Sequence, residues 1–256
     1  MVEKLFARTP PRPGMKLLDP GCGTGAFIEG VLRWVQRSGS PAPCITGIDS
    51  DPTLLRQAAS VLGAQANVTL IEADFLHGMA ESFDYIIGNP PYVSITALSA
   101  DERDYYRRQY SAASGRFDLY ALFFEQAMRV LAPKGRLVFI TPEKFAYVQS
   151  AARLRQQLAE AGVEEVAFLS EDTFAGLVTY PVVTTLQRDL PTAPTRVFPR
   201  HGDFIAVSLP TDGSSWLPHF NGHHRPSSTH TLSDAFVRIS CGVATGADQI
   251  YVVGNV

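Results

Sequence analysis

From about Met15 to Arg188 the sequence alternates, unit after unit, between short apolar runs and stretches with helical spacing. That rhythm leaves few folds open. Strands separated by crossover helices favour a mostly parallel sheet, buried on both faces and covered by helices on both sides. The spacing predicts strands at Lys16–Asp19, Cys44–Ile48, Val68–Ile71, Tyr85–Ile87, Arg136–Ile140, Val163–Leu169 and Val182–Gln187. It predicts helices at Ala26–Arg37, Thr53–Leu62, Phe117–Leu131 and Ala151–Ala161, the second with Pro52 at its start and the last closed by Gly162. Right-handed crossovers then give a doubly wound α/β fold with a seven-stranded sheet, whose ligands sit at the carboxyl ends of the strands.

At 256 residues the chain can bury a large core. Its composition, 45% hydrophobic and 18% charged, is that of a globular protein. No apolar run approaches the ~20 residues of a membrane span, and Met1-Val2-Glu3-Lys4 does not open a signal peptide. With three scattered cysteines, Cys22, Cys44 and Cys241, the expectation is a cytoplasmic protein with reduced thiols. The histidines at 201, 219, 223, 224 and 230 lack ligand spacing, so no metal is expected. After Leu190 the chain turns rich in Pro, Gly, Ser and His. We therefore expect a catalytic domain over 1–190, then a short irregular segment over 191–256 that reads as a linker and the start of a longer region. The net charge of −3 lacks the basic surplus of a complete nucleic-acid binder.

Chemistry concentrates at the predicted strand tips. The first strand runs into Asp19-Pro20-Gly21-Cys22-Gly23-Thr24-Gly25, where glycines let a ligand approach the backbone closely. The segment lacks a Walker lysine and a GxGxxG spacing, which disfavours a phosphate-cradling loop or a dinucleotide pyrophosphate site. Asp19 instead suits a cationic ammonium or sulfonium. Asp49, ending the second strand, can accept from both hydroxyls of a ribose, while Asp51 is placed to cap the helix at Pro52. After the third strand, Asp74 can accept from an adenine amine while Phe75 packs on the ring.

The fourth tip carries Asn89-Pro90-Pro91-Tyr92. The Asn89 side-chain carbonyl and the Pro90 backbone carbonyl are two acceptors, presented rigidly because proline fixes its own φ and restricts the residue before it. Tyr92 adds a stacking face. Such a group receives a planar NH2, whether an exocyclic base amine or a primary amide.

In this order, the glycine turn, the two acids and Asn-Pro-Pro-Tyr resemble the S-adenosylmethionine-dependent methyltransferases, and specifically the gamma-class adenine-N6 enzymes of restriction-modification systems, including the fused type II restriction-methylation enzymes. The resemblance covers roughly Thr9 to Val253. It implies a Rossmann-like methyltransferase domain with catalytic Asn89, Pro90, Pro91 and Tyr92. It implies a cofactor site of Thr9, Asp19, Gly21, Cys22, Gly23, Gly25, Asp49, Ser50, Asp74, Phe75 and Asn89. Asp118-Leu119-Tyr120 is similar to a motif that lines the cofactor pocket, and Phe174 to the aromatic that holds the flipped base opposite Tyr92. The stretch from Cys241 to Gly246 looks like the Gly-x-x-Thr-Gly element before a target-recognition region. Arg103, Arg107 and Arg108 are candidates to meet phosphates, or simply a solvated helix face.

The implied reaction is methyl transfer to adenine N6 in double-stranded DNA, by flipping the base into the Asn-Pro-Pro-Tyr site. A C-terminal recognition domain or partner subunit lying outside this sequence is part of that expectation. Two alternatives stay open: an RNA adenine or a protein glutamine as acceptor, and a cofactor-binding module inactive without its recognition region.

Overall fold

Strand β1 (Lys16–Pro20) lies inside the sheet, and the chain winds outward from it in two directions. On one side it pairs with β2 (Cys44–Asp49), which pairs with β3 (Val68–Glu72), all parallel. On the other side it pairs with β4 (Phe83–Gly88), and β4 with β5 (Leu131–Pro142), again parallel. The change of direction occurs between β1 and β4, the switch point where doubly wound sheets leave a crevice at their carboxyl ends. The structure, a computed structural model, describes residues 1–169, 180–189 and 194–220, all within one unit that spans 1–222.

Beyond β5 the sheet turns mixed. β7 (Pro181–Gln187) runs antiparallel between β5 and β6 (Val163–Phe168), and the order among the described strands is 3-2-1-4-5-7-6-8-9. Seven of these strands match the expected ones. The two outermost do not: β8 (Thr195–Phe198) pairs parallel with β6, and β9 (Ile205–Val207) pairs antiparallel with β8. The compositional break at Leu190 therefore does not end the sheet, although Pro and Gly weaken the period on which a sequence reading relies.

Alternation along each central strand divides the core into two layers. Leu18, Ile86, Leu137 and Phe139 face α5 (Leu119–Val130) and α6 (Ala152–Ala161), whereas Leu17, Ile87, Val138 and Ile140 face α2 (Ala26–Ser38) and α3 (Pro52–Leu62). Asp51 caps α3 as expected, accepting from Thr53 N–H at 2.7 Å with Pro52 at the first helical position. A short helix without a sequence forecast, α1 (Val2–Phe6), joins the second layer, with Phe6 against Trp34 and Tyr85 at 4.5 and 5.1 Å. Helix α4 (Ala100–Gln109) opens on a capping box between Ser99 and Glu102.

Two polar devices fasten the far edge of the sheet. Glu164 receives Arg8, Arg136 and Arg196 at 2.8, 2.9 and 3.1 Å, and Glu165 receives Lys4 and Arg196, so the N-terminal segment, β5, β6 and β8 share one charge network. Arg155, 1% exposed, donates to the carbonyls of Phe145, Val148, Gly213 and Ser214 at 2.7–3.1 Å. That clasp holds the segment before α7 (Leu217–Phe220) in place. Trp216, fully buried, then packs between Phe145 and Phe220 at 5.9 and 6.2 Å.

Candidate active site

The glycine turn after β1 is tied to the end of β2 by backbone bonds. Gly21 and Cys22 donate to the Ile48 carbonyl at 2.7 and 2.9 Å, and Gly23 donates to Asp49 Oδ2 at 2.8 Å. Gly21 has φ +71°, and a Cβ there would stand 3.6 Å from the Phe123 ring across the crevice. Any side chain would thus strain the turn and narrow the space beside it.

A cleft of about 450 Å³ opens at the switch point. One wall is the turn itself, with Gly21, Cys22, Gly23 and Thr24; Asp49 and Ser50 follow from β2, Asp74 and Phe75 from the end of β3. Asn89 and Pro91 close the side nearest β4. Three strand tips predicted to converge do converge. Asp19, Gly25, Thr9, Pro90 and Tyr92 are not among the lining residues. Thr9 lies off the cleft, its carbonyl accepting from the Tyr85 hydroxyl at 2.9 Å.

Asp49 has two tasks. Its carboxylate accepts from Gly23 N–H and from Asp51 N–H at 2.8 and 2.9 Å, which braces the turn and leaves acceptor capacity on both oxygens of a residue that lines the cleft. Asp74 caps the short turn Phe75–His77, accepting from Leu76 N–H at 2.8 Å. Phe75 leans on Phe123 with ring centroids 5.3 Å apart, and together they make an apolar wall. Phe123, Phe27 and Leu54 line the cleft without having been singled out in the sequence. No local signal marks them, since each sits on the apolar face of an amphipathic helix. Asp118 pairs with Lys144 at 2.6 Å and Tyr120 is buried, so from α5 it is Phe123, one turn on, that reaches the cleft.

Asp19 sits immediately behind the glycine turn. It is fully buried, neither carboxylate oxygen has a hydrogen-bond partner among the described residues, and Oδ1 would lie 3.2 Å from a Cβ at Gly88, the residue before Asn89. Burial above all, and then Asp49, raises its carboxyl well above the usual carboxylate range. Burial also pushes the Cys22 thiol up to about 12, with Asp19 and Asp49 adding to the shift. An orphaned buried acid beside a cleft lacks a cation, and a ligand carrying ammonium and sulfonium groups fits that need. Because the native state holds the Asp19 proton to higher pH than the unfolded chain does, this group's contribution to stability falls as pH rises above the ordinary carboxylate range. Asp19→Asn is therefore expected to raise the melting temperature of the ligand-free protein at neutral pH and flatten that decline, while weakening cofactor binding. Melting curves between pH 5 and 8 with titration calorimetry check both; an unchanged affinity would contradict the role.

Asn89 is exposed at the tip of β4, and its side chain has no hydrogen-bond partner among the described residues. Tyr92 is half-buried, edge-on to Tyr120 at 6.4 Å, with its hydroxyl 3.4 Å from the Ile140 carbonyl. Burial raises the phenol to about 12, so it stays neutral at physiological pH. Arg103 donates to the Leu98 carbonyl at 2.6 Å, and Arg107 and Arg108 are exposed on α4. Among the described residues no group of His, Cys, Asp and Glu is placed to hold a metal ion, and no helix is long and apolar enough to cross a membrane. Phe174 and the stretch from Cys241 to Gly246 lie outside the described residues.

Comparison with solved structures bears on the fold. A Listeria monocytogenes chain assigned to the class I S-adenosylmethionine-dependent methyltransferases matches with a TM-score of 0.61, covering 77% of this chain and 60% of its own, at 22% identity. The chain belongs to the Eco57I restriction-modification methylase family, whose model matches residues 46–174. The Type II methyltransferase M.XhoI of Xanthomonas vasicola is 26% identical over 303 residues, covering 93% of this chain and 55% of the relative. M.TthHB8I of Thermus thermophilus is 30% identical over 165 residues, 62% of this chain and 36% of the relative. The chain thus spans only part of the length of either. S-adenosylmethionine is the cofactor of this family, and the acid behind the glycine turn, the Asp49 carboxylate in the cleft wall and the apolar wall of Phe75 and Phe123 fit it.

Proposed function

We propose that this chain transfers a methyl group to the N6 amine of adenine in DNA. The observation that supports this most is that Asn89 and Pro91 line the same cleft as the glycine turn, Asp49 and Phe75. A receptor for a planar amine and a pocket for the cofactor thus share a wall. In this reading Asp19 faces the cationic end of the cofactor, Asp49 and Ser50 its ribose, and Asp74 and Phe75 its adenine.

Bound S-adenosylmethionine supplies an activated methyl on a sulfonium. The chain's task is positioning. Adenine N6 is a poor nucleophile because its lone pair is delocalised into the ring. Donation of its two hydrogens to the Asn89 side-chain carbonyl and the Pro90 carbonyl favours a pyramidal nitrogen, with the lone pair directed into the cleft. The base must first leave the duplex, and stacking on Tyr92, at roughly 1–3 kcal/mol per base, offsets part of the unstacking. Phe174 would supply a second face. The proton is lost after transfer, so no general base is needed.

Tritiated methyl transfer to unmethylated duplex DNA, to tRNA and to a release factor in parallel tests the proposal. Label recovered as N6-methyladenine in DNA supports it. Label in tRNA or protein alone would redirect the same site to another amine. Cofactor binding without transfer to any of the three would identify a module that depends on a recognition domain or partner subunit. The net charge of −3 keeps that last outcome in view, because DNA affinity rests heavily on cationic contacts.

A further inference from the structure

We infer that Tyr106 and His77 are positioning residues for Asp74, and that the three together make the cofactor cleft selective for a 6-aminopurine over a 6-oxopurine. The inference rests on the proposed contact between Asp74 and the cofactor's adenine amine.

The two oxygens of Asp74 are held differently. Oδ1 accepts from Leu76 N–H at 2.8 Å, within the turn that Asp74 itself caps. Oδ2 lies 3.0 Å from His77 Nδ1 and 3.4 Å from the Tyr106 hydroxyl. Tyr106 belongs to α4, some thirty residues further along the chain, and is only 4% exposed. Its hydroxyl thus reaches Asp74 from within the packed face of that helix. Burial first, and then the Asp74 carboxylate, push the Tyr106 phenol upward, so it remains a donor across the physiological range.

The same helix and the residue that caps it grip the turn at two further points. Tyr105 leans on the His77 ring at 4.9 Å, and Tyr110 donates to the Leu76 carbonyl at 2.6 Å. A bare structural purpose would be met by that packing and by the cap bond to Leu76. It does not call for the Tyr106 hydroxyl and the His77 imidazole to meet the one oxygen that the cap leaves free. These contacts on Oδ2 restrict the rotation of the carboxylate, so Asp74 meets the cleft as a fixed acceptor. Such a group attracts an exocyclic NH2 and repels a carbonyl oxygen at the same position.

Calorimetric affinities of S-adenosylhomocysteine and of its inosine counterpart, which carries oxygen in place of the 6-amine, test this on the intact chain. The wild-type protein is expected to prefer the adenine ligand by about ten-fold or more, the scale of a hydrogen bond to a charged group. Tyr106→Phe is expected to reduce that preference by about three-fold, and Tyr106→Phe with His77→Ala to remove most of it, with no loss of affinity for the inosine ligand. Retained inosine binding also shows that the variants fold. If the variants keep the wild-type preference, or lose both ligands equally, the positioning role is wrong although Asp74 still reads the amine. If the wild-type protein shows no preference, the contact between Asp74 and the amine fails, and this inference with it.

Discussion

Replacing Asn89 by alanine is expected to lower methyl transfer roughly 10²–10³-fold while changing S-adenosylmethionine affinity by no more than about three-fold, the pattern of a group acting mainly in the transition state. Three observations lead to this split. Asn89 is exposed and has no hydrogen-bond partner among the described residues, so its loss leaves no buried polar group unsatisfied. It contributes one edge of a cleft whose other walls come from the ends of β1, β2 and β3 and from α2, α3 and α5, so removing it takes away little of the cofactor's contact area. Its amide is nonetheless the one side-chain carbonyl in the Asn-Pro-Pro-Tyr segment at the tip of β4. Single-turnover transfer with calorimetric binding separates the two quantities. A variant with near-normal turnover would remove Asn89 from the chemistry. An equal loss of binding and rate would make it part of the cofactor wall instead.

The second large effect is far from the chemistry. Trp216→Ala is expected to destabilise the protein by about 3–5 kcal/mol, a fall in melting temperature of roughly 6–20 °C for a domain of this size. Trp216 is fully buried, and its indole fills the space between Phe145, in the turn after β5, and Phe220. The Arg155 clasp on Gly213 and Ser214 holds the segment in place, so it cannot readily collapse into the cavity. Urea unfolding at fixed cofactor concentration measures the loss. A change below about 1 kcal/mol, the scale of an ordinary surface-tolerant substitution, would mean that residues 212–220 sit on the domain rather than within it.

The two predictions mark what a single sequence does and does not disclose here. Gly21, Asp49, Asp74 and Asn89 stand at the ends of periodic apolar runs, and the residue types announce their backbone geometry or charge. The switch-point cleft could be assembled from them in advance. Phe123 could not. Inside α5 it looks like any other apolar position, and only the crossing of that helix over the glycine turn brings it to the cleft. Tyr106 is hidden for the same reason, because its hydroxyl acquires meaning only from an acid on another element. Trp216 and strands β8 and β9 lie where Pro, Gly, Ser and His dilute the periodic signal. Their place in the fold depends on partners in β6, α6 and the turn after β5 rather than on local propensity.

In the proposed site, the carboxyl of Asp19, unpartnered among the described residues, extends the cofactor's part beyond the reaction. Holding that group out of water without a cation lowers the stability of the empty protein. Binding that relieves the deficit raises it by an amount set by ligand concentration relative to affinity. The methyl donor is then also a folding ligand. A cell short of it would lose molecules of this protein to unfolding and proteolysis as well as turnovers per molecule, because small changes in stability shift steady-state abundance. Methylation capacity would then fall more steeply than simple saturation of the site allows.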